Sequence, residues 1–195
     1  MKAFIAAMFV LAACHPGQAR TAPVPAAYWT MDEIIAGALR DQAGLHHARI
    51  PELTGMKDAK FGGVLPDFVP STEPGVKGKA LALVRSQQGF LNIAAPKELY
   101  FANGMTVSAW VKIKSASAQM IVFSCAEDLP NPKGGWCLTY SYGSVFLKAV
   151  DSTGKAVRVT SPHNSVPAGA WVHIAAVADA KALRIYCGAL FCWHG

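Results

Sequence analysis

The sequence predicts an all-β protein that folds as a two-sheet antiparallel sandwich. Two segments carry the strongest signal, Thr106–Lys112 (TVSAWVK) and Trp171–Asp179 (WVHIAAVAD). In both, small or branched apolar residues alternate with polar or aromatic residues, as in a strand whose two faces meet different surroundings. Turn signals such as Asn103-Gly104 and Ser152-Thr153-Gly154 separate further short apolar runs. Short strands with regular punctuation are typical of sandwiches.

Composition suits one sandwich domain and a targeting segment. The chain has 195 residues, and its 52% hydrophobic content is enough for one buried core. The formal net charge of +6 is spread thinly, without a run of Lys and Arg that could follow a phosphate backbone. We therefore expect no nucleic-acid binding.

The N-terminus has the layout of an export signal. Lys2 precedes an unbroken apolar run over Ala3–Ala13, which is too short for a permanent membrane helix. We interpret residues 1–13 as a signal peptide. The run ends in Leu11–Cys14 (LAAC), which resembles the bacterial lipobox. That resemblance implies cleavage before Cys14 and lipid attachment to this residue.

Lipid on Cys14 would hold the protein at a membrane, because two or more acyl chains anchor a protein firmly. His15 after the Cys, rather than Asp, resembles outer-membrane lipoproteins. The alternative is cleavage after Gly17-Gln18-Ala19, which would release a periplasmic or secreted protein. In both cases the chain is exported to the cell envelope or beyond. Residues 14–27 are rich in Pro and small residues and predict a tether.

The remaining chain predicts many strands. Pro and Gly break up residues 51–78, and regular patterning resumes at Lys79. We expect strands at about 79–84, 89–93, 105–114, 119–125, 135–142, 144–151, 155–161, 171–179 and 182–187. Earlier in the chain, the spacing of apolar residues over Met31–Leu39 by itself favours a helix.

Several of these segments resemble the laminin-G-like, concanavalin-A-like jelly-roll family. The resemblance includes both strand motifs above, Leu183–Gly188 (LRIYCG) and the opening Tyr28–Glu33 (YWTMDE). It implies a jelly-roll domain over residues 28–195. It also implies that the opening segment is a strand pairing with the far end of the chain, in place of the local helix.

The resemblance stops after about residue 188. The family continues with further strands and a closing segment of the type GxIDEVRIY, whereas this chain reads Ala189–Gly195 (ALFCWHG). We therefore expect a domain truncated after about 188, without its C-terminal strands. Relatives often hold calcium near the equivalents of Asp32 and Asp41, with a C-terminal Asp-Glu completing the site. The resemblance thus implies a possible calcium site at Asp32 and Asp41 with an incomplete ligand set.

Cysteines suggest one disulfide in an exported protein. Cys125 ends one predicted strand and Cys137 begins the next, so we expect the two to bridge at the mouth of a hairpin. Such a bond would stabilise the fold by roughly 3 kcal/mol. Two buried thiols are the alternative. No Cys-x-x-Cys is present, which argues against structural zinc.

Catalytic motifs are missing from the sequence. There is no Glu-x-Asp-x-x-Glu strand and no Gly-x-Ser-x-Gly elbow, so we assign no catalytic residue. His173 fits a structural imidazole, and the pair His46-His47 fits a solvated turn better than a metal site. The aromatic residues Trp136, Tyr140 and Tyr142 form either a core face or a sugar-stacking platform.

Together these observations predict a non-catalytic cell-envelope binding module. Its partner would be a glycan or a cell-surface protein, and its ligand-binding residues cannot be assigned from the sequence. The alternative is an accessory domain or fragment of a larger secreted carbohydrate-active enzyme. An independent hydrolase would need two carboxylates converging in a cleft.

Overall fold

A computed structural model describes ten stretches of the chain. These are residues 2–12, 25–44, 46–51, 69–84, 90–93, 104–126, 135–150, 153–179, 181–188 and 190–194. Within these stretches every regular element is a β-strand. In this part of the chain no helix is long and apolar enough to cross a membrane.

Sixteen strands follow one another along the described chain. The first eight are β1 Lys2–Ala12, β2 Pro25–Trp29, β3 Ile34–Ile35, β4 Ala38–Leu39, β5 Ala48–Arg49, β6 Ser71–Pro74, β7 Lys79–Val84 and β8 Asn92–Ile93. The others are β9 Met105–Ile113, β10 Gln119–Ala126, β11 Gly135–Ser141, β12 Ser144–Val150, β13 Ala156–Thr160, β14 Trp171–Ala178, β15 Leu183–Cys187 and β16 Leu190–His194.

The strands form two large sheets and one small one, with antiparallel pairing throughout. The largest sheet has the order β16-β15-β14-β9-β1-β7-β6, and β2 pairs with β1 beside this path. The second sheet has the order β10-β11-β12-β13, and the small sheet has the order β3-β4-β5-β8. One apolar core contains residues of all three sheets. The predicted all-β fold with packed antiparallel sheets is therefore confirmed.

The core is built by alternation along the two motif strands. In β9 the side chains of Val107, Ala109 and Val111 are buried, and in β14 those of Ile174 and Ala176 are buried. Residues two apart on a strand share a face, so each strand gives one apolar face to the core. The residues between them lie on the opposite face of the sheet, where half-buried aromatic and polar groups collect.

Most predicted strands are confirmed to within about two residues, including those that became β7 and β9–β15. The helix that the local spacing favours over Met31–Leu39 does not form. Its residues instead make the hairpin of β3 and β4, whose turn has positive φ at Ala36 (49°) and Gly37 (73°). Pairing with β5 extends this hairpin into the small sheet, so long-range pairing overrides the local pattern.

The expected pairing of the opening segment needs correction. The opening segment does form a strand, β2, but it pairs with β1 and not with the far end of the chain. Strand β2 begins at Pro25, so the last residues of the predicted tether belong to the sheet. The far end forms β16, which pairs with β15 at the sheet edge beyond the end of the resemblance. The truncation itself stays a prediction.

The predicted signal peptide contributes β1, which lies in the middle of the largest sheet. Lys2–Ala12 is antiparallel to β9 on one side and to β7 and β2 on the other. The removal of these residues during export stays a prediction. Cys14 and residues 15–24 of the predicted tether lie outside the described residues.

Candidate functional site

The loop that joins β2 to β3, residues 30–33, lies at the rim of the sandwich. Met31 in this loop has φ of 64°, a left-handed conformation that costs a non-glycine residue roughly 1–2 kcal/mol. Its side chain is buried in the core, and this burial offsets the backbone cost. Strained backbone of this kind concentrates at functional sites, which makes the loop a candidate.

Asp32 ties this loop to the turn before β7. Its Oδ1 accepts a hydrogen bond from the backbone N–H of Lys79, with an N–O distance of 2.8 Å. The carboxylate occupies the space above Gly78, where a Cβ would collide with Asp32 Oδ1. Gly78 also has φ of 64°, so glycine is required here by backbone conformation and by space. The Asp32 side chain therefore fixes the spacing between two rim loops.

Asp41 is the most enclosed carboxylate among the described residues, with only 2% of its surface exposed. Its Oδ1 accepts the backbone N–H of Tyr28 at 2.7 Å and of Ala43 at 2.9 Å. Its Oδ2 accepts the backbone N–H of His46 at 3.1 Å. Three charge-assisted hydrogen bonds compensate the burial of the carboxylate and join β2 to the following loop.

The two adjacent histidines belong to the same network. The backbone carbonyl of His46 accepts a hydrogen bond from the indole Nε1–H of Trp29 at 2.9 Å. His47 Nδ1 accepts the backbone N–H of Asp41 at 3.2 Å. His47 is exposed, as expected for a solvated turn, and its ring also satisfies a backbone donor of the Asp41 loop.

The calcium expectation rests on Asp32 and Asp41. Around a calcium ion, a carboxylate is accompanied by carbonyl and water oxygens that also bind the ion. Asp32 and Asp41 instead accept hydrogen bonds from backbone N–H groups. No group of three or more His, Cys, Asp or Glu side chains is placed to hold a metal ion within the described stretches. Calcium binding stays a prediction.

Two open clefts flank the Asp32–Glu33 segment. One, of about 380 Å³, is lined by Asp32, Glu33, Ile34, Ile35, Pro70, Thr72 and Lys79. The other, of about 420 Å³, is lined by Thr30, Met31, Asp32, Glu33, Ile35, Leu39, Arg40 and Gln42. Both contain Ile35, a large apolar side chain that is 59% exposed. The rim therefore combines carboxylates, cations and one exposed apolar side chain. We call it the Asp32–Glu33 rim.

A second feature lies on the face of the largest sheet that points away from the core. Trp110 and His173 are directly opposite each other on β9 and β14, and their ring centroids are 5.3 Å apart. Trp110 and Trp171 pack against the fully buried Ala80 and Ala82 of β7. Burial lowers the pKa of the His173 imidazole. The two Trp residues and His173 thus cover the outer face of the sheet, in agreement with the structural role predicted for His173.

The aromatic residues of β11 belong to the core. Tyr140 is fully buried, and Trp136 packs against the same apolar cluster. Tyr142 is 54% exposed, with φ of 48° in the turn between β11 and β12. Of the two interpretations left open by the sequence, the structure supports a core face for Trp136 and Tyr140 and separates Tyr142 from them.

The predicted disulfide is absent, because no bond joins Cys125 to Cys137. In the pairing of β10 with β11, Cys125 lies opposite Trp136 and Cys137 lies opposite Ser124. A register offset of one residue places the two side chains on opposite faces of the sheet. The Cys137 thiol instead contacts Thr139 Oγ1 at 3.2 Å, and burial raises its pKa.

A further carboxylate, Asp179, holds the turn between β14 and β15. It accepts a hydrogen bond from Arg184 at 2.5 Å and bonds from the backbone N–H groups of Lys181 and Ala182. These three interactions, led by the guanidinium, lower the pKa of Asp179 to about 2. Its contacts make this carboxylate a turn-forming group.

Sequence reasoning named Asp32 but missed the residues that surround it. Ile35 of β3 is distant in the chain from Thr72 and Lys79, which lie on the consecutive strands β6 and β7, and the rim brings them together. The signal available was the Gly78-Lys79 pair at the start of a strand. It marks a turn, but nothing in it specifies a carboxylate 47 residues earlier as its partner.

Packed antiparallel sheets with one shared core, rim loops and a sealed outer face define a β-sandwich protein of the jelly-roll class. The sequence profile of the concanavalin A-like lectin/glucanases superfamily, in its laminin G form, matches residues 86–188. This match covers more than half of the chain, and the chain belongs to that family. Domains of this family commonly bind carbohydrate or protein. No curated protein matches the chain at a significant level of similarity.

Proposed function

We propose that this protein is a non-catalytic binding module of the cell envelope that recognises glycan at the Asp32–Glu33 rim. The observation that carries the proposal is the pair of clefts flanking Asp32 and Glu33. Their volumes of about 380 and 420 Å³ fall at the small end of the range of ligand pockets, roughly 300–1,000 Å³. Shallow, open clefts suit one or two sugar rings.

The chemistry of the rim supports a hydroxyl-rich ligand. Glu33 can accept hydrogen bonds from sugar hydroxyls, and Lys79 and Arg40 on either side can donate them. The exposed Ile35 offers an apolar surface to the C–H face of a sugar ring. A protein ligand remains the other partner class within this family, and the binding experiment distinguishes the two.

The absence of catalysis is part of the proposal. Glycoside hydrolysis needs two carboxylates at a defined separation, one of them able to release a proton. Asp32 and Asp41 accept backbone N–H groups, and Asp179 is paired with Arg184. A structural task therefore already occupies three of the described carboxylates. Glu33, which lines both clefts, would act as a hydrogen-bond acceptor.

Anchoring at the envelope is also proposed. The N-terminal sequence supports a signal peptide over residues 1–13 and lipid attachment at Cys14. Mass spectrometry of the mature N-terminus tests this. A diacylglyceryl-modified Cys14 is expected, whereas a free Arg20 would identify the alternative cleavage site and a soluble exported protein.

Glycan-array binding with the full chain tests the ligand class. We expect Ile35→Ala and Glu33→Gln each to weaken glycan binding at least tenfold. Ile121→Ala is the matched control, because Ile121 is also an exposed isoleucine (40%) but lies on β10 in the other large sheet. Equal loss in both isoleucine variants would contradict a site at the rim.

Two further outcomes would overturn the proposal. Release of reducing sugar from a bound glycan, abolished by Glu33→Gln, would identify a hydrolase. Lack of binding to every glycan, together with retention on a surface protein, would assign the rim to protein recognition. Repeating the array with EDTA and with added calcium shows whether calcium contributes to binding.

A further inference from the structure

Strand β1 has an unusual position for a predicted signal peptide. It lies inside the largest sheet, with β9 along one edge and β7 and β2 along the other. Eight of its residues pair in register with β9, four with β7 and four with β2. Both edges of the segment are therefore hydrogen-bonded to the sheet over most of its length.

Cleavage of the signal peptide during export would remove this strand from the sheet. Under the proposed function, cleavage before Cys14 removes all of Lys2–Ala12, and the present inference rests on that step. The edge of β9 and the edges of β7 and β2 would then carry rows of unpaired backbone N–H and C=O groups. A vacancy of this kind inside a sheet is far more costly than an open outer edge, because the neighbouring core residues lose their cover.

The vacancy cannot close by simple collapse. Strands β7 and β9 are both antiparallel to β1, so they are parallel to each other. Closing the gap would move half of the sheet by one strand spacing, about 4.8 Å, and create a new parallel pair with a different hydrogen-bond pattern. The apolar side chains of Leu81 and Val111, which now belong to one core, would lose their relative positions.

We propose that the groove between β9 and the pair β7 and β2 is a strand-accepting site in the processed protein. Its occupant is an extended apolar segment of a partner polypeptide, running antiparallel to β9. Strand addition of this kind gains affinity from main-chain hydrogen bonds and specificity from alternate side chains. A second processed copy cannot supply the segment seen here, because processing removes it from that copy too.

The residues beside β1 determine which side chains a partner strand must carry. Positions opposite Val107, Ala109 and Val111 continue the buried core face, so alternate residues of the partner must be apolar. The positions between them lie beside Ser108 and Lys112 on the other face. Proline is excluded from the interior, because each internal N–H has a neighbouring strand to bond.

Peptide binding to the processed chain tests the site. The protein is residues 14–195 with Cys14→Ser, and the probe is a fluorescent peptide of residues 2–12 with added terminal lysines for solubility. We expect saturable 1:1 binding by anisotropy and a rise in melting temperature of several degrees. The control peptide carries Ile5→Pro and Val10→Pro, and we expect it to bind at least tenfold more weakly.

Crosslinking tests the register. Phe9 of β1 lies directly opposite Ser108 of β9, so a peptide with Phe9→Cys should form a disulfide with a Ser108→Cys protein. A Lys112→Cys protein is the matched control, because position 112 lies opposite Phe4 on the same face. Equal crosslinking to both positions would show apolar adhesion without a defined site and would overturn the proposal.

Failure to fold remains informative. If the processed chain is unfolded alone, refolding with the peptide should restore β-sheet circular dichroism, and the proline peptide should not. The proposal is overturned if neither peptide restores the fold, or if the processed chain equals the full chain in melting temperature and binds no peptide. Mass spectrometry of the exported N-terminus decides separately whether processing occurs, so failure of the export proposal is distinguishable.

Discussion

His173 and Trp110 face each other across the pairing of β14 with β9, with a centroid distance of 5.3 Å and an angle of 52° between the ring planes. The contact lies on the face of the sheet away from the core, where Trp110 also covers Ala80 and Ala82. Burial at this contact lowers the pKa of His173 and favours the neutral imidazole, because a charged ring would lose hydration here.

This environment predicts a pH dependence of folding. Burial lowers the pKa of His173 below its ordinary value of about 6.5, so the unfolded chain binds a proton more readily than the folded chain. The contribution of His173 to the free energy of unfolding should therefore be complete above pH 6.5 and should diminish as the pH falls through and below that value. Urea unfolding at pH 7.5, 6.5 and 5.5 measures it.

His173→Gln provides the control, because a neutral side chain removes this titration. We expect the free energy of unfolding of the variant to vary less between pH 7.5 and 5.5 than that of the wild type. Identical slopes for wild type and His173→Gln would contradict the role of burial.

Gly78→Ala should destabilise the protein by more than the left-handed backbone cost alone. A positive φ costs alanine roughly 1–2 kcal/mol, and at position 78 the added Cβ also meets the Asp32 carboxylate. Gly154→Ala is the matched control, because Gly154 has φ of 83° and open space around the Cβ position. Chemical denaturation should give a clearly larger loss for Gly78→Ala. Equal losses would mean that the Asp32 contact adds nothing.

Asp41→Asn should lower the free energy of unfolding by about 2–3 kcal/mol. The Asn side chain replaces a carboxylate that accepts three backbone N–H groups. Its NH2 group is itself a donor and would face at least one of these N–H donors. Thermal or urea unfolding in EDTA and in calcium separates two roles. A structural role predicts the same loss in both buffers, whereas a calcium ligand would show its loss only when calcium is present.

Cys125→Ser and Cys137→Ser should behave independently. We expect Cys137→Ser to cost about 1 kcal/mol, since its thiol is buried, and Cys125→Ser to cost less. In a double-mutant cycle the coupling energy should stay below about 0.5 kcal/mol. A disulfide would instead give both single variants and the double variant the same loss, and a reducing agent would abolish the difference from wild type.

The strands were largely predictable because their signal is local. Alternation in Thr106–Lys112 and Trp171–Asp179 identifies a strand and its buried face without knowledge of its neighbours. The hairpin at Ile34–Leu39 was not predictable in this way, because its apolar spacing also fits a helix. Only pairing with β5 decides between the two, and that partner is separated from β4 by a loop.

The candidate site was predictable only in part. Asp32 and Asp41 were identified, but their tasks depend on which backbone N–H groups reach them from other strands. The failed disulfide has the same origin, because one residue of register decides whether two cysteines share a face. Register follows from the packing of whole sheets and cannot be deduced from the spacing of two residues.

The sequence by itself determined the strand content, the buried face of the motif strands and an apolar N-terminal segment. Only the tertiary structure decided the neighbours of each strand: Lys2–Ala12 between β9 and β7, Asp32 against Gly78, and Trp110 against His173. The physical reason is the range of the interactions. Side-chain alternation depends on residues that are adjacent in the sequence. Hydrogen-bonded strand pairing joins residues that are far apart in the sequence and depends on the free energy of the whole core.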